Sequence, residues 1–186
     1  IIQPAAYVRA LTASLENRVS VFENSPIQQI EQHSTNWTIS NATGSVECNK
    51  VIMAVNGHIE NFGLFQQRLL HVFTYASLSK PLDQQQAAIL GGHHRWHITP
   101  SDPMGVTVRR IESLQGPRLL VRSRFTLDQS MHINPRRLST IKKLHLQKFR
   151  QRFPMLPKIE IEYCWGGQLC LSRINMPAFG EILPNL

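Results

Sequence analysis

The chain has 186 residues, 42% of them hydrophobic and 17% charged, with 10 Gly and 11 Pro, which excludes a disordered segment or a coiled coil and leaves a globular chain with a core. Its longest apolar run, 51–55, is far shorter than the roughly 20 residues of a membrane helix, and no signal-peptide pattern opens it. The formal net charge of +8 raises an anionic partner or surface.

Cys48, Cys164 and Cys170 have no C-x-x-C spacing and fit a reducing compartment, so the cytoplasm is expected. The stretch that begins at Ile1 already reads like the middle of a protein, and the chain is expected to be a piece of a longer one.

In chain order, residues 4–16 (PAAYVRALTASLE) carry Ala and Leu at helical spacing, with Pro4 near the start and Asn17 beyond the end, which predicts a helix. Residues 19–22 (VSVF) predict a short strand before the turn signal Glu23-Asn24-Ser25-Pro26. Residues 27–32, 37–40 and 45–48 alternate apolar and polar, with Asn41-Ala42-Thr43-Gly44 between the last two, which predicts a β-meander or hairpin. The continuous apolar run 51–55 (VIMAV) predicts a strand buried on both faces, ending at Asn56-Gly57 where backbone turns or approaches something closely.

Residues 69–78 (LLHVFTYASL) predict a long strand with Phe73, Tyr75 and Ser77 on one face and Val72, Thr74 and Ala76 on the other. Three further strands are predicted at 95–99, 105–112 and 118–125, and a last one at 158–164 before Trp165-Gly166-Gly167. Between them, residues 134–154 place apolar side chains at 138, 141, 144 or 145, 149 and 153, one face of a helix with Asn134 as cap, Pro135 in its first turn and Pro154 as stop. Seven Lys or Arg and no acid lie between 136 and 152, so that stretch holds nearly all of the +8. One helix, a run of strands, one long helix and more strand argue for an α+β fold with a large antiparallel or mixed sheet and flanking helices.

Few motifs carry chemistry by themselves. His93 and His97 would share a helix face, but Gly91-Gly92 before them and Ile98-Thr99-Pro100 after them favour a strand, where they stand roughly 13 Å apart, so no metal site is expected. No G-x-S-x-G, G-x-G-x-x-G or Walker loop is present. Neither Cys164 nor Cys170 has a His nearby in sequence, and both are expected to be buried small hydrophobes. In Thr107-Val108-Arg109-Arg110 the two arginines fall on opposite faces of a strand, so one can point inward. The basic helix suits phosphate or lipid, against the plainer reading of a solvated face. Lacking interleaved aromatics or a preceding helix-turn-helix partner, it makes nucleic acid the weaker partner.

Six segments, taken together and in order, carry a resemblance. They are Pro4 to Leu11, Val21-Phe22-Glu23-Asn24-Ser25-Pro26-Ile27, Val51 to Gly57, Thr74-Tyr75-Ala76-Ser77-Leu78, Gly105 to Arg110, and Trp165-Gly166-Gly167 through Pro177-Ala178-Phe179-Gly180. The chain resembles the FAD-dependent oxidoreductases of the glycine and D-amino-acid oxidase family, and most of all their gamma-glutamylputrescine oxidase-like members.

The resemblance implies FAD as cofactor, a small-molecule amine or amino acid as substrate, and hydride transfer from a substrate C–N carbon to the flavin, giving an imine that water hydrolyses. It implies a partial FAD domain at 1–68, a substrate domain with its sheet and basic helix at 69–164, and a return to the FAD domain at 165–186. Because the family's glycine fingerprint is absent, the piece alone is expected to be inactive and to bind FAD weakly. Matched to the family's cofactor contacts are Ile27, Ala54, Asn56, Gly57, Trp165, Gly166, Arg173 and Pro177, although members often differ where Arg173-Ile174-Asn175 stands. For the substrate the expectation is Tyr75 and Arg110, an arginine suiting a carboxylate. The alternative function is a non-enzymatic module docking to nucleic acid or an anionic surface through the basic helix 135–153.

Overall fold

The computed structural model describes residues 3–15, 17–102 and 105–186. They form two compact units, one of residues 1–54 with 179–186 and one of residues 55–178.

The first unit holds helix α1 (Pro4–Ser14) and the antiparallel strands β1 (Gln29–Gln32), β2 (Trp37–Ser40) and β3 (Ser45–Cys48) in sequential order. Gln3 caps α1 by accepting from the Ala6 N–H at 2.7 Å, and Pro4 sits in the first turn, where its missing N–H costs nothing. The residues expected to extend this helix reach Glu16, which lies outside the described residues. The β2–β3 turn is fixed by Asn41, whose Oδ1 accepts from the backbone of Thr43 and Gly44. Trp37 anchors the unit, 4% exposed, with Nε1 donating to the Pro184 carbonyl.

Two expected strands of this region do not form. Residues 19–22 make no ladder, and Val19, Val21 and Phe22 are all exposed. Residues 51–55 are irregular, and Ile52 is 93% exposed. An apolar run becomes a central strand only when strands pair with it on both sides; here the Val51 N–H instead donates to the Asn185 carbonyl, and the chain passes into a 3-10 segment, Asn56–Phe62.

The second unit is built on a five-stranded antiparallel sheet in the order β5-β6-β7-β4-β8. Its strands are β4 (Leu69–Ser79), β5 (Trp96–Ile98), β6 (Thr107–Ser113), β7 (Gly116–Leu127) and β8 (Ile161–Ser172). This agrees with the expected α+β class. β8 runs through Trp165-Gly166-Gly167 to Ser172, so the glycine pair belongs to the strand rather than to a loop after it. Helix α2 (Gln84–Leu90) was not foreseen, yet its start is written in Asp83 and Gln86, which make a reciprocal capping box.

Helix α3 (Pro135–Arg152) begins where the sequence places it, with Asn134 Oδ1 accepting from the Arg136 N–H at 2.9 Å. It packs on β4, β7 and β8. Phe149 and Phe153 join Leu119, Val121, Leu156 and Ile159 in the main core, while Ile141 meets Phe73 and Tyr75 in a smaller one. Each such side chain contributes about 1.5–3 kcal/mol by burial. Among the described residues, no helix is long and apolar enough to cross a membrane.

Candidate functional site

Alternation along β4 gives the sheet of the second unit two different faces. On the helix side, Phe73, Tyr75 and Ser77 are buried under α3. Between them and the helix lies a fully buried polar cluster: His145 Nδ1 is 2.8 Å from Ser77 Oγ and its Nε2 is 3.0 Å from Ser123 Oγ. Burial pushes the His145 pKa down from 6.5 to about 4, and the Arg124 charge acts in the same direction. Tyr75, 1% exposed, hydrogen-bonds through its hydroxyl to Thr126 at 2.7 Å. Arg110 lies on this side as well, 5% exposed, donating to the Gly91 carbonyl at 2.7 Å.

The opposite face, within this unit, carries a continuous row. Thr107 pairs with Arg122, Arg122 with Ala76, and Ala76 with Trp165. Ala76 is the small residue between Arg122 and Trp165 in this row. Arg122 donates to Thr107 Oγ1 at 3.4 Å and lies over the Phe125 ring, with no acidic partner among the described residues. Trp165 and Tyr163 on β8 are 41% and 54% exposed. One rung along, Thr74 pairs with Gly167. Thr74 Oγ1 is buried without a partner, and a Cβ on Gly167 would meet nothing within 4 Å. Gly167 therefore leaves open space beside a buried hydroxyl with unused hydrogen-bonding capacity, which suits the edge and face of a planar polar ring.

The residues expected to touch cofactor separate between the units. Ile27 and Ala54 are exposed residues of the first. Asn56, Gly57, Trp165, Gly166, Arg173 and Pro177 belong to the second, where Asn56 takes a left-handed conformation (φ 52°) and Arg173 and Pro177 are exposed in the turn after β8. Gly57 is close to something, as expected, and the neighbour is internal: a Cβ there would stand 2.7 Å from His71 Cε1 and 3.3 Å from Cys170 Cβ. His71 is held by Glu60, with Nε2 donating to Oε2 at 2.6 Å. Thus Cys170, which has no histidine nearby in sequence, has His71 as its cross-strand neighbour; burial raises its thiol pKa, consistent with an inert protonated group. Gly166 likewise makes room for the Tyr75 ring, 3.1 Å from its absent Cβ.

Residues that the sequence reading did not select are Thr74, Gly167 and Arg122. The signal available for them is parity: each stands opposite in phase to Tyr75, Gly166 or Ser123. Among the described residues, no group of three or more His, Cys, Asp or Glu is arranged to hold a metal ion.

Fold and site together define an α+β domain whose antiparallel sheet is clothed by helices on one face and presents a polar and aromatic row on the other. The family model described as FAD dependent oxidoreductase matches residues 1–186, and the chain belongs to that family, whose cofactor is FAD. It is 22% identical over 171 residues to the probable oxidoreductase OrdL of Rhizobium meliloti (strain 1021), covering 90% of this chain and 36% of that protein. Its fold is similar to glycine oxidase from Geobacillus kaustophilus, with a TM-score of 0.64, 13% identity, and coverage of 89% of this chain and 41% of the other. It is similar also to L-proline dehydrogenase from P. horikoshii, with a TM-score of 0.62, 13% identity, and coverage of 97% and 46%. The chain thus spans less than half the length of each of these proteins.

Proposed function

We propose that this chain supplies the substrate-covering part of a flavoprotein that oxidises the C–N bond of an amine or amino acid, with Arg122 receiving the substrate carboxylate. FAD, when bound, supplies a two-electron acceptor for the hydride of the substrate carbon. The remaining work falls to the protein. Thr74 and Gly167 would lie against the flavin or the reacting end of the substrate, Trp165 would exclude water from that end, and Arg122 would fix the opposite end on the far side of Ala76.

The observation that carries this reading is the row on the open sheet face, an arginine without acidic partner beside an orphaned, buried hydroxyl. Family membership and the fold likeness to an amino-acid oxidase and a proline dehydrogenase support the same chemistry. The partial flavin domain at 1–68 and 165–186 and the substrate domain at 69–164 are part of the proposal. So are the expected contacts of Ile27, Ala54, Asn56, Gly57, Trp165, Gly166, Arg173 and Pro177 with the cofactor. Tyr75 and Arg110 act from beneath in this reading, holding the open face in shape from the helix side rather than meeting substrate.

The test is made on the full-length protein. It should purify with bound flavin, released on denaturation. Arg122→Gln should raise KM for an amino-acid substrate about 10–100-fold, the loss of one charge-assisted hydrogen bond of about 1.5–3 kcal/mol, while an amine without carboxylate is affected little. A colourless, flavin-free protein, or equal effects on both substrates, would overturn the proposal.

A further inference from the structure

We infer that His71, clamped by Glu60, is a positioning residue for the cofactor: its ring fixes the Asn56-Gly57 turn against the sheet and so sets where Asn56 meets FAD. The inference rests on the proposed contact of Asn56 with the cofactor. The turn does not hold itself. Asn56 takes the left-handed conformation (φ 52°), which is unfavourable for a residue with a Cβ and persists only where its surroundings enforce it. No side chain caps the 3-10 segment Asn56–Phe62 that it opens. Behind the turn stands His71 on β4, 4% exposed. Its backbone is held on both sides, by the pairing with Cys170 on β8 and by its carbonyl, which accepts from the Asp128 N–H at 3.0 Å.

The ring touches the turn at two places. A Cβ on Gly57 would stand 2.7 Å from His71 Cε1 and 2.8 Å from Nδ1, so the glycine backbone rests directly on the imidazole. On its other side Nε2 donates to Glu60 Oε2 at 2.6 Å. Glu60 belongs to the same 3-10 segment as Asn56 and is tied down in turn, its carbonyl accepting from the Gly63 N–H at 3.1 Å and from Gln66 Nε2. Nδ1 itself is buried without a hydrogen-bond partner. A side chain that only filled this space would do better apolar, since an orphaned buried nitrogen costs stability. What the imidazole supplies in exchange is direction: one hydrogen bond to a carboxylate orients the ring, and the oriented ring places Gly57. Asn56 is exposed, and its side chain has no partner among the described residues, so it is the part of the turn presented outward.

The test measures FAD affinity rather than turnover, by calorimetric titration of the full-length protein stripped of flavin. Asn56→Ala and His71→Leu should each weaken FAD binding about tenfold, the worth of one hydrogen bond to a charged or polar group. The double variant should be no more than about twofold weaker than the weaker single one, because an unclamped turn gives Asn56 no fixed place from which to act. Glu60→Gln still offers an oxygen to the His71 Nε2–H and should stay within about threefold of wild type. Glu60→Ala should behave as His71→Leu does, and it supplies the same arm of the cycle with Asn56→Ala if the leucine variant does not fold. Single effects that multiply in the double variant would show that His71 supports the fold without positioning the turn, and would overturn the inference. So would a Glu60→Gln variant as weak as Glu60→Ala. Asn56→Ala that binds FAD like wild type removes the Asn56 contact and the inference with it, while the flavoprotein reading stands; a full-length protein that binds no FAD overturns that reading itself.

Discussion

His145 is a buried group whose charge state the fold constrains, and it makes the stability of the second unit depend on pH between about 6.5 and about 4. Its ring lies at 0% exposure between α3 and the sheet, bridging Ser77 on β4 and Ser123 on β7. Either hydroxyl can donate or accept, so the hydrogen bonds tolerate both the neutral and the charged ring. Burial does not: it holds the folded pKa at about 4, against 6.5 in the open chain. As pH falls through 6.5 the unfolded chain takes up a proton that the folded one refuses until about pH 4. The stability this histidine confers is therefore complete above pH 6.5, declines below it, and is gone beneath pH 4.

At 1.36 kcal/mol per pH unit, the whole shift amounts to about 3 kcal/mol. Only one layer of helix separates the ring from solvent, and screening reduces the figure to about 2 kcal/mol. Urea unfolding of wild type and His145→Gln at intervals between pH 7.5 and 4.5 measures it. Glutamine keeps a donor and an acceptor but does not titrate, so the variant should start about 1–2 kcal/mol less stable and then lose less as the pH falls. By pH 4.5 the gap should have closed or reversed. Asp128, Glu160 and Glu162 are held below the usual carboxylate range by Ser130, Lys80 and Arg118 respectively, so their losses come at lower pH and are common to both proteins. Parallel curves for the two proteins across the window would refute the argument.

Gly57→Ala should destabilise the second unit by about 2 kcal/mol, because the new methyl meets a histidine ring that Glu60 fixes; thermal unfolding checks this, and an unchanged midpoint counts against the packing described. Thr74→Val should raise stability in the absence of flavin by about 1 kcal/mol, since it removes an unpartnered buried hydroxyl of the same shape. The same substitution should lower flavin occupancy or raise KM in the full-length protein, and gains in both respects would separate Thr74 from the site. Reversing Lys142, Lys143, Lys148 and Arg150 to Glu should leave flavin content and turnover unchanged while abolishing any adsorption to anionic vesicles; adsorption that persists would clear α3 of a docking role.

Much of this fold is legible because it is local. The meander strands β2 and β3 and the start of α3 follow directly from alternation, turn residues and a capping asparagine. What is illegible is long-range. Residues 51–55 have the composition of a buried strand, but composition cannot supply flanking strands. In β4 the sequence separates Phe73, Tyr75 and Ser77 from Val72, Thr74 and Ala76 correctly, yet it cannot say which set α3 will cover. That is decided by partners such as Ser77 and His145, 68 residues apart in sequence. An expectation for substrate contacts drawn from the aromatic, larger set therefore lands on the helix side, where large apolar rings are wanted for packing.

The glycines make the same point more sharply, since Gly57, Gly166 and Gly167 look alike in a sequence and answer to three different demands. Gly57 is small because the His71 ring occupies the space of its Cβ, and Gly166 because the Tyr75 ring does. In both cases the close approach is internal, and an alanine there would disturb packing whether or not a ligand binds. Gly167 has no neighbour at all in that direction. A β-strand interior gains from a side chain at such a place and loses about 0.5–1 kcal/mol by having none. In the proposed reading, the reason for Gly167 is the ligand that comes to rest on the open face. Gly167→Ala should accordingly leave the stability of the flavin-free protein unchanged or slightly raised, by up to about 1 kcal/mol, while lowering flavin content or raising KM in the full-length protein. If the alanine variant instead unfolds more easily and binds flavin normally, the open face is a packing surface, and the row from Arg122 to Trp165 loses its claim as the site.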